Sequence, residues 1–201
     1  MSGTKHSRTY LAAATTVAAF VLAGCSSSGS SASSGNQTGF VSSKGSRIST
    51  AALGHRQDAP DISGTTLDGH SAKLSDYRGK VVVLNIWGSW CDPCRGEAKG
   101  LESVWEKYQS QGVQFLGINT RDVDRANAVA FETNKGVTFP SIYDPDGTQI
   151  LKFPKGSLNP QFIPTTIVID RGGKLAARAF GAQSADVIES MLQPVLAEQN
   201  H

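Results

Sequence analysis

The chain has 201 residues, of which 39% are hydrophobic and 18% are charged, and its formal net charge is +2 at pH 7. This length and composition are those of a folded domain with additional chain, and they exclude global disorder. The small net charge, without a basic patch carrying interleaved aromatic residues, argues against nucleic acid as a partner.

The first 24 residues have the organisation of an export signal. Lys5 and Arg8 precede the apolar run YLAAATTVAAFVLAG, which is shorter than a membrane-spanning helix requires. The run ends in VLAGC, residues 21–25, which resembles the lipobox of bacterial lipoproteins. This resemblance implies removal of residues 1–24, lipid attachment to Cys25 and anchoring on the extracytoplasmic face of the cell membrane. The alternative is a signal peptide that is cut elsewhere and leaves Cys25 unmodified.

Residues 25–57 are predicted to form a linker between this anchor and a folded domain at residues 58–201. Between residues 26 and 47 the chain has ten serines and four glycines, so this segment buries too little apolar surface to offset the entropy of ordering it. A flexible chain of 33 residues, the length of the segment 25–57, has a root-mean-square span of about 30 Å. The domain is therefore expected to lie close to the membrane.

From residue 58 onward, the hydrophobic pattern predicts alternating strands and helices. A short hairpin is expected first, with its turn at Asp68-Gly69. The apolar runs VVVLNIW at residues 81–87 and VQFLGIN at residues 113–119 indicate two strands covered on both faces. Between them, apolar residues recur with helical spacing and predict an amphipathic helix; they are Leu101, Val104, Trp105 and Tyr108.

The remainder of the chain continues the alternation. A second helix is predicted with Asp122 or Asp124 as its N-cap and Gly136 at its end. Two further strands are joined by a tight turn at residues 171–173 and must therefore be antiparallel. A last helix follows, and Pro194 is expected to kink or end it. The predicted fold class is α/β, with a central mixed β-sheet and helices on both faces.

Two cysteines lie between the first apolar strand and the first helix. Cys91 is predicted at the helix N-terminus, where backbone N–H groups and the helix dipole stabilise a thiolate by about 0.3–1 kcal/mol. Cys94 lies three residues on, close enough to close a small disulfide ring and with a less exposed sulfur. If Cys25 carries lipid, these are the two remaining thiols, too few for a zinc site of four thiolates.

The run VVVLNIWGSWCDPCRGE resembles the active-site segment of the thioredoxin superfamily, and more narrowly that of the membrane-tethered extracytoplasmic thiol-disulfide oxidoreductases of the TlpA and ResA type. The similarity extends over the predicted domain through DGHSAKLSDYRGK at residues 68–80 and IPTT at residues 163–166. It implies a thioredoxin-like fold with an N-terminal β-hairpin extension. It also implies a subfamily insertion between the second strand and Ile163.

The resemblance implies a role for each matching residue. Cys91 would attack a substrate disulfide, and Cys94 would resolve the mixed disulfide. Pro164 corresponds to the cis-proline that faces the cysteines, and Ile163 would offer its backbone to an extended substrate. Trp90 would pack beside the cysteine pair and, with Ile163 and Pro164, contribute to substrate binding.

The chain departs from cytoplasmic thioredoxins at two positions near the cysteines. Asn85 stands where they have a buried acid, so Glu97, which matches a proton-relaying acid of the narrower family, is the predicted substitute; the alternative is an exposed helix carboxylate. Asp92 places a negative charge beside Cys91 and would raise the pKa of its thiol, whereas Arg95 and the helix dipole oppose this effect. A less stable thiolate corresponds to a more reducing couple.

The predicted function is therefore reduction of disulfides in exported proteins, apocytochrome c among them, by a monomer that takes electrons from a membrane thiol carrier and needs no cofactor or metal. A thiol peroxidase of this fold is one alternative, but it requires proline and serine or threonine where this chain has Leu84 and Gly88. A copper-chaperone-like module is another. His55 and His70, its candidate ligands, fall in the predicted linker and hairpin.

Overall fold

The computed structural model describes Met1, Gly3, residues 38–42 and residues 45–198. The chain divides into two units, Met1–Ala32 and Ser33–His201, and the secondary structure described below belongs to the second. The predicted signal peptide cleavage site and the lipidation site at Cys25 lie outside the described residues. None of the helices in the described ranges is long and apolar enough to cross a membrane.

A seven-stranded mixed sheet forms the centre of the second unit, in the order β1-β2-β9-β8-β5-β6-β7, and a separate hairpin pairs β3 with β4. The strands are β1 (Phe40–Ser42), β2 (Ile48–Ala51), β3 (Ser63–Thr65), β4 (Ser71–Lys73), β5 (Val81–Trp87), β6 (Val113–Thr120), β7 (Ser141–Asp144), β8 (Thr165–Ile169) and β9 (Leu175–Phe180). Strands β5, β6 and β7 are mutually parallel, whereas β8 and β9 run antiparallel to their neighbours.

Strand β5 separates the two halves of the hydrophobic core. All its residues are buried, and successive side chains point to opposite faces. Val81 and Val83 pack in a cluster with helices α1 (Asp92–Tyr108) and α3 (Ala185–Ala197). The opposite face packs against the β3–β4 hairpin and the 3-10 helices at Leu74–Tyr77 and Ile150–Lys152. Helices thus lie on both faces, which confirms the predicted thioredoxin-like architecture.

Helix α2 (Arg125–Lys135) shows which of the two candidate residues is its N-cap. The side chain of Asp124 accepts a hydrogen bond from the backbone N–H of Ala126 at 2.8 Å, so Asp124 is the cap. Asp122 has a different role, described below. Gly136 ends the helix with a φ of 70°, a left-handed conformation that favours glycine.

Of the two predicted effects of Pro194, a helix end is not observed, because helix α3 continues past the proline to Ala197. Proline removes one backbone donor, and here the loss falls near the end of the helix. Val195, directly after the proline, is buried in the core cluster. The guanidinium of Arg171 donates hydrogen bonds to the carbonyl oxygens of Val195, Leu196 and Glu198. These contacts hold the last turn in place.

The sheet also begins earlier than residue 58, because β1 and β2 lie within the predicted linker. Strand β2 pairs antiparallel with β9, which adds both strands to the edge of the sheet. Phe40 is buried, and its ring lies 4.4 Å from the guanidinium of Arg178. The serine-rich composition did not indicate these strands, since the contacts that order them come from β9, far along the chain.

Candidate active site

The two cysteines lie where β5 gives way to α1. Cys91 is the N-cap of α1, and its Sγ accepts a hydrogen bond from the backbone N–H of Cys94 at 3.2 Å. The two sulfurs form a disulfide, with the Cα atoms 5.3 Å apart. Cys91 is 3% exposed and Cys94 2%, so the expected contrast in their exposure is small.

The Ile163-Pro164 segment faces the disulfide. Its peptide bond is cis, and the carbonyl oxygen of Ile163 lies 3.7 Å from the Sγ of Cys91. The carbonyl of Pro164 accepts a hydrogen bond from the N–H of Gly181 at 2.8 Å, which ties this segment to the end of β9. The structure therefore brings together the cysteine pair and the two residues expected to receive substrate.

Trp90 presents an aromatic surface directly before Cys91. Its side chain is 46% exposed, and its Nε1 donates a hydrogen bond to the carbonyl of Thr120 at 3.2 Å. The guanidinium of Arg121 lies 4.6 Å from the ring. A Cβ at position 88 would lie 2.5 Å from Nε1 of Trp90, so glycine at this position is what permits the ring to lie against the loop.

Glu97 is buried, which excludes the alternative of an exposed helix carboxylate. Its Oε1 accepts a hydrogen bond from Nδ2 of Asn85 at 2.8 Å, and its Oε2 accepts one from the N–H of Gln183 at 2.9 Å. Burial raises the pKa of Glu97 to about 7, against the opposing effect of these hydrogen bonds. Asn85 and Cys94 line the same small cavity. The carboxyl can therefore exchange a proton near neutral pH within the region of the cysteines.

Asp122 positions the loop that precedes the cysteines, a role that the sequence analysis missed. Its carboxylate accepts hydrogen bonds from the N–H and the hydroxyl of Ser89 and from Nδ2 of Asn119. The carbonyl of Ser89 in turn accepts a hydrogen bond from Arg95 at 2.7 Å. The predicted topology could have indicated this role. Asp122 follows β6, and the carboxyl ends of adjacent parallel strands meet at one edge of a sheet, so Asp122 is expected near the residues that follow β5.

The side chain of Asp92, next to Cys91 in the chain, points into solvent. Its side chain is 95% exposed, and its Oδ1 lies 3.5 Å from Nε of Arg95. Exposed pairs of this kind contribute about 0–1 kcal/mol. Asp92 is thus placed beside Cys91 as the sequence indicated, but its influence on the thiolate is limited by water.

A second carboxyl, that of the half-buried Glu132 in α2, directly follows Phe131 in the chain. The ring of Trp87 stacks on Phe131 with 4.6 Å between centroids, and its Nε1 donates to the hydroxyl of Ser141 at 3.2 Å. Burial raises the pKa of Glu132 to about 7, while a hydrogen bond with Ser141 acts in the opposite direction. No sequence pattern pointed to Glu132 as a group with a raised pKa.

His55 and His70, the two candidate metal ligands, are both exposed to solvent. His70 lies in the β3–β4 turn with an 81% exposed side chain, and its Nδ1 is 3.0 Å from Oδ2 of Asp68. His55 is exposed as well. Within residues 38–42 and 45–198, no group of three or more His, Cys, Asp or Glu side chains is arranged to hold a metal ion.

A two-cysteine disulfide at a helix start, beside a cis-proline on a thioredoxin-like sheet, defines the class of thiol-disulfide oxidoreductases. Residues 55–178 match the AhpC/TSA family, and the chain belongs to this family. The thiol-disulfide oxidoreductase ResA of Geobacillus kaustophilus is 35% identical over 137 residues, which are 68% of this chain and 75% of that protein.

Two solved structures from corynebacteria extend the comparison. A DsbF homologue from Corynebacterium diphtheriae is 34% identical with a TM-score of 0.70, covering 77% of this chain and 97% of its own. A secreted thiol-disulfide isomerase from Corynebacterium glutamicum is 36% identical with a TM-score of 0.72, covering 79% and 97%. The chain is accordingly a thiol-disulfide oxidoreductase.

Proposed function

We propose that this oxidoreductase reduces disulfides of exported proteins, with Cys91 as the attacking nucleophile and Cys94 as the resolving thiol. The observation that carries the proposal is the position of Cys91, which combines a helix N-terminus with the Ile163 carbonyl 3.7 Å away. Helix N-terminal N–H groups favour a thiolate. An extended substrate paired with the backbone at Ile163 would bring its disulfide to that sulfur.

The reaction begins from the reduced pair. The Cys91 thiolate attacks one sulfur of the substrate disulfide, the substrate S–S bond breaks, and the departing sulfur takes a proton from water. The Cys94 thiol then loses its proton and attacks Sγ of Cys91, which releases the second substrate sulfur as a thiolate that water protonates. The substrate gains two electrons and two protons, and the cysteine pair becomes the disulfide present in the structure.

Glu97 is the proposed acceptor of the Cys94 proton. It lies one helical turn beyond Cys94, a spacing that places both side chains on the same face of α1. Its partner Asn85 and Cys94 border one cavity, and the pKa of Glu97, raised by burial to about 7, suits proton exchange at neutral pH.

The proposal includes an electron donor and a cellular location. The cycle needs two electrons per turnover, for which a dithiol carrier in the membrane is the proposed donor, and apocytochrome c is one proposed substrate. The lipobox-like VLAGC at residues 21–25 supports anchoring through Cys25 on the extracytoplasmic face. A relative described as secreted supports the same location. We propose a monomer without cofactor or metal.

Trapping tests the roles of the two cysteines. Reduced full-length Cys94→Ser protein should accumulate a mixed disulfide with a peptide that contains an intramolecular disulfide, since the first bond forms but cannot be resolved. The matched Cys91→Ser protein should accumulate far less, as measured by intact mass. Equal trapping by both variants, or none by either, would overturn the assignment.

Cell fractionation tests the anchor separately. The full chain is expected in the membrane fraction of a bacterial host that processes lipoproteins, and Cys25→Ala protein is expected in the soluble extracytoplasmic fraction. A Cys25→Ala protein that remains in the membrane fraction would contradict lipid attachment at this residue.

A further inference from the structure

An open groove of about 460 Å³ lies beside the Ile163-Pro164 segment, on the side of β2 and β9. Ligand pockets commonly have volumes of about 300–1,000 Å³. Two aromatic residues line one part of the groove. Phe162 is 56% exposed, and its ring centroid lies 5.7 Å from that of Phe180. Because Phe162 directly precedes Ile163, the groove is continuous with the proposed substrate-binding backbone.

Arg178 brings a buried positive charge to the groove. The residue is 8% exposed, and its guanidinium lies 4.4 Å from the Phe40 ring and 5.0 Å from the Phe180 ring. Its Nη1 donates hydrogen bonds to the carbonyls of Gly156 and Ser157. Its Nε is buried without a hydrogen-bond partner, and no carboxylate of the described residues forms an ion pair with it. Among the described residues, this buried cation is thus contacted by backbone carbonyls and aromatic rings but by no carboxylate.

The groove is also lined by a second arginine and by serine hydroxyls. Arg47, between β1 and β2, is exposed and forms no ion pair with any residue in the described part of the chain. Three serines complete this side, namely Ser42, Ser46 and Ser49. Among the described residues, the groove lining thus contains two guanidinium groups and three hydroxyls but no carboxylate.

We propose that this groove binds an acidic segment of the substrate polypeptide that flanks the reacting cysteine. The flanking carboxylates would pair with Arg47 and Arg178, and an apolar neighbour would contact the exposed Phe162 ring. The inference rests on the proposed reductase function and adds a substrate preference to it. The strands β1 and β2 then have a function, since they build one wall of the groove.

The test compares three synthetic peptides that share one intramolecular disulfide and carry two Glu, two Gln or two Lys residues next to a cysteine. With the reduced full chain at low ionic strength, we expect the exposed Arg47 pair alone to raise kcat/KM for the Glu peptide over that for the Gln peptide by up to about five-fold. The Lys peptide should be the slowest. Added salt should reduce the preference, because it screens exposed charges.

Variants of Arg47 separate the groove from the chemistry. Arg47→Gln should bring the Glu and Gln peptides closer in rate, and Arg47→Glu should favour the Lys peptide, whereas the matched Lys80→Gln should keep the wild-type preference. Lys80 is exposed and directly precedes β5, at the end of that strand opposite to the cysteines. The matched Lys80→Gln protein should also reduce a small uncharged disulfide at the wild-type rate.

The outcomes distinguish the two proposals. Equal rates for the three peptides, with the small disulfide still reduced, would overturn the groove assignment and leave the reductase function intact. Failure to reduce any disulfide would overturn the reductase function itself. Sedimentation of the same proteins tests another occupant, because a dimer that Arg47→Glu dissociates would assign the groove to a second copy of this chain and overturn the proposal.

Discussion

Replacement of Glu97 by glutamine should remove a specific pH dependence of stability. Burial raises the pKa of this carboxyl from 4.5 to about 7 in the folded chain. At about 1.36 kcal/mol per pKa unit, this interval corresponds to roughly 3 kcal/mol. The folded state holds the proton more tightly than the unfolded state, so the free energy of unfolding falls as pH rises from 4.5 through 7.

The expected result is a difference between the variant and the wild type that grows with pH. Glutamine does not ionise, so the free energy of unfolding of Glu97→Gln relative to wild type should increase by roughly 3 kcal/mol between pH 4.5 and pH 8. A constant offset is also expected, because glutamine meets the Asn85 amide that donates to Glu97 in the wild type. The test is therefore the slope rather than the value at one pH.

Urea unfolding of the oxidised full chain, followed by tryptophan fluorescence, measures this slope. The second carboxyl whose pKa burial raises to about 7, Glu132, acts equally in both proteins and cancels in their difference. The difference should also be retained when both proteins carry Glu132→Gln. A difference that stays constant within about 0.5 kcal/mol from pH 4.5 to pH 8 would refute a buried, proton-exchanging Glu97.

Three other substitutions test the surroundings of the cysteines. Asp122→Ala leaves the buried N–H of Ser89 without its acceptor and should lower the free energy of unfolding by about 1–3 kcal/mol at pH 7, measured by urea titration. Gly88→Ala places a Cβ against the Trp90 indole and should cost about 1–3 kcal/mol with a shifted tryptophan emission, whereas unchanged emission would contradict the packing. Asp92→Asn should raise the reduction potential by no more than about 20 mV, because the carboxylate is exposed; a shift of about 60 mV would show that its charge acts directly.

The sequence predicted best those elements whose own residues determine them. The apolar run at residues 81–87 is strand β5 as predicted, and β6 exceeds its predicted range by one residue. Both strands are buried on both faces, so nearly every residue carries the signal. The prediction of helix α1 is also confirmed. Three of the four apolar residues that predicted it are buried, and the fourth, Trp105, packs against the same cluster.

Elements that are ordered by contacts with distant residues could not be predicted from the sequence. The strands β1 and β2 contain mostly small polar residues and depend on pairing with β9. The burial of Glu97 depends on Asn85 and on Gln183, which lies 86 positions further along the chain. Asp122 and Asp124 are equivalent as N-cap candidates in the sequence, and only the position of Ser89 separates their roles. Such contacts are set by topology rather than by local propensity.

The equilibrium reduction potential of the Cys91–Cys94 couple tests the central claim most directly. The full chain would be titrated against defined ratios of reduced and oxidised dithiol while the fluorescence of Trp87 and Trp90 is followed. Trp87 packs in one cluster with both cysteines, so its emission should report their redox state. A value at or below about −220 mV is predicted for a disulfide reductase. A value near about −120 mV would contradict this account and identify a disulfide donor instead.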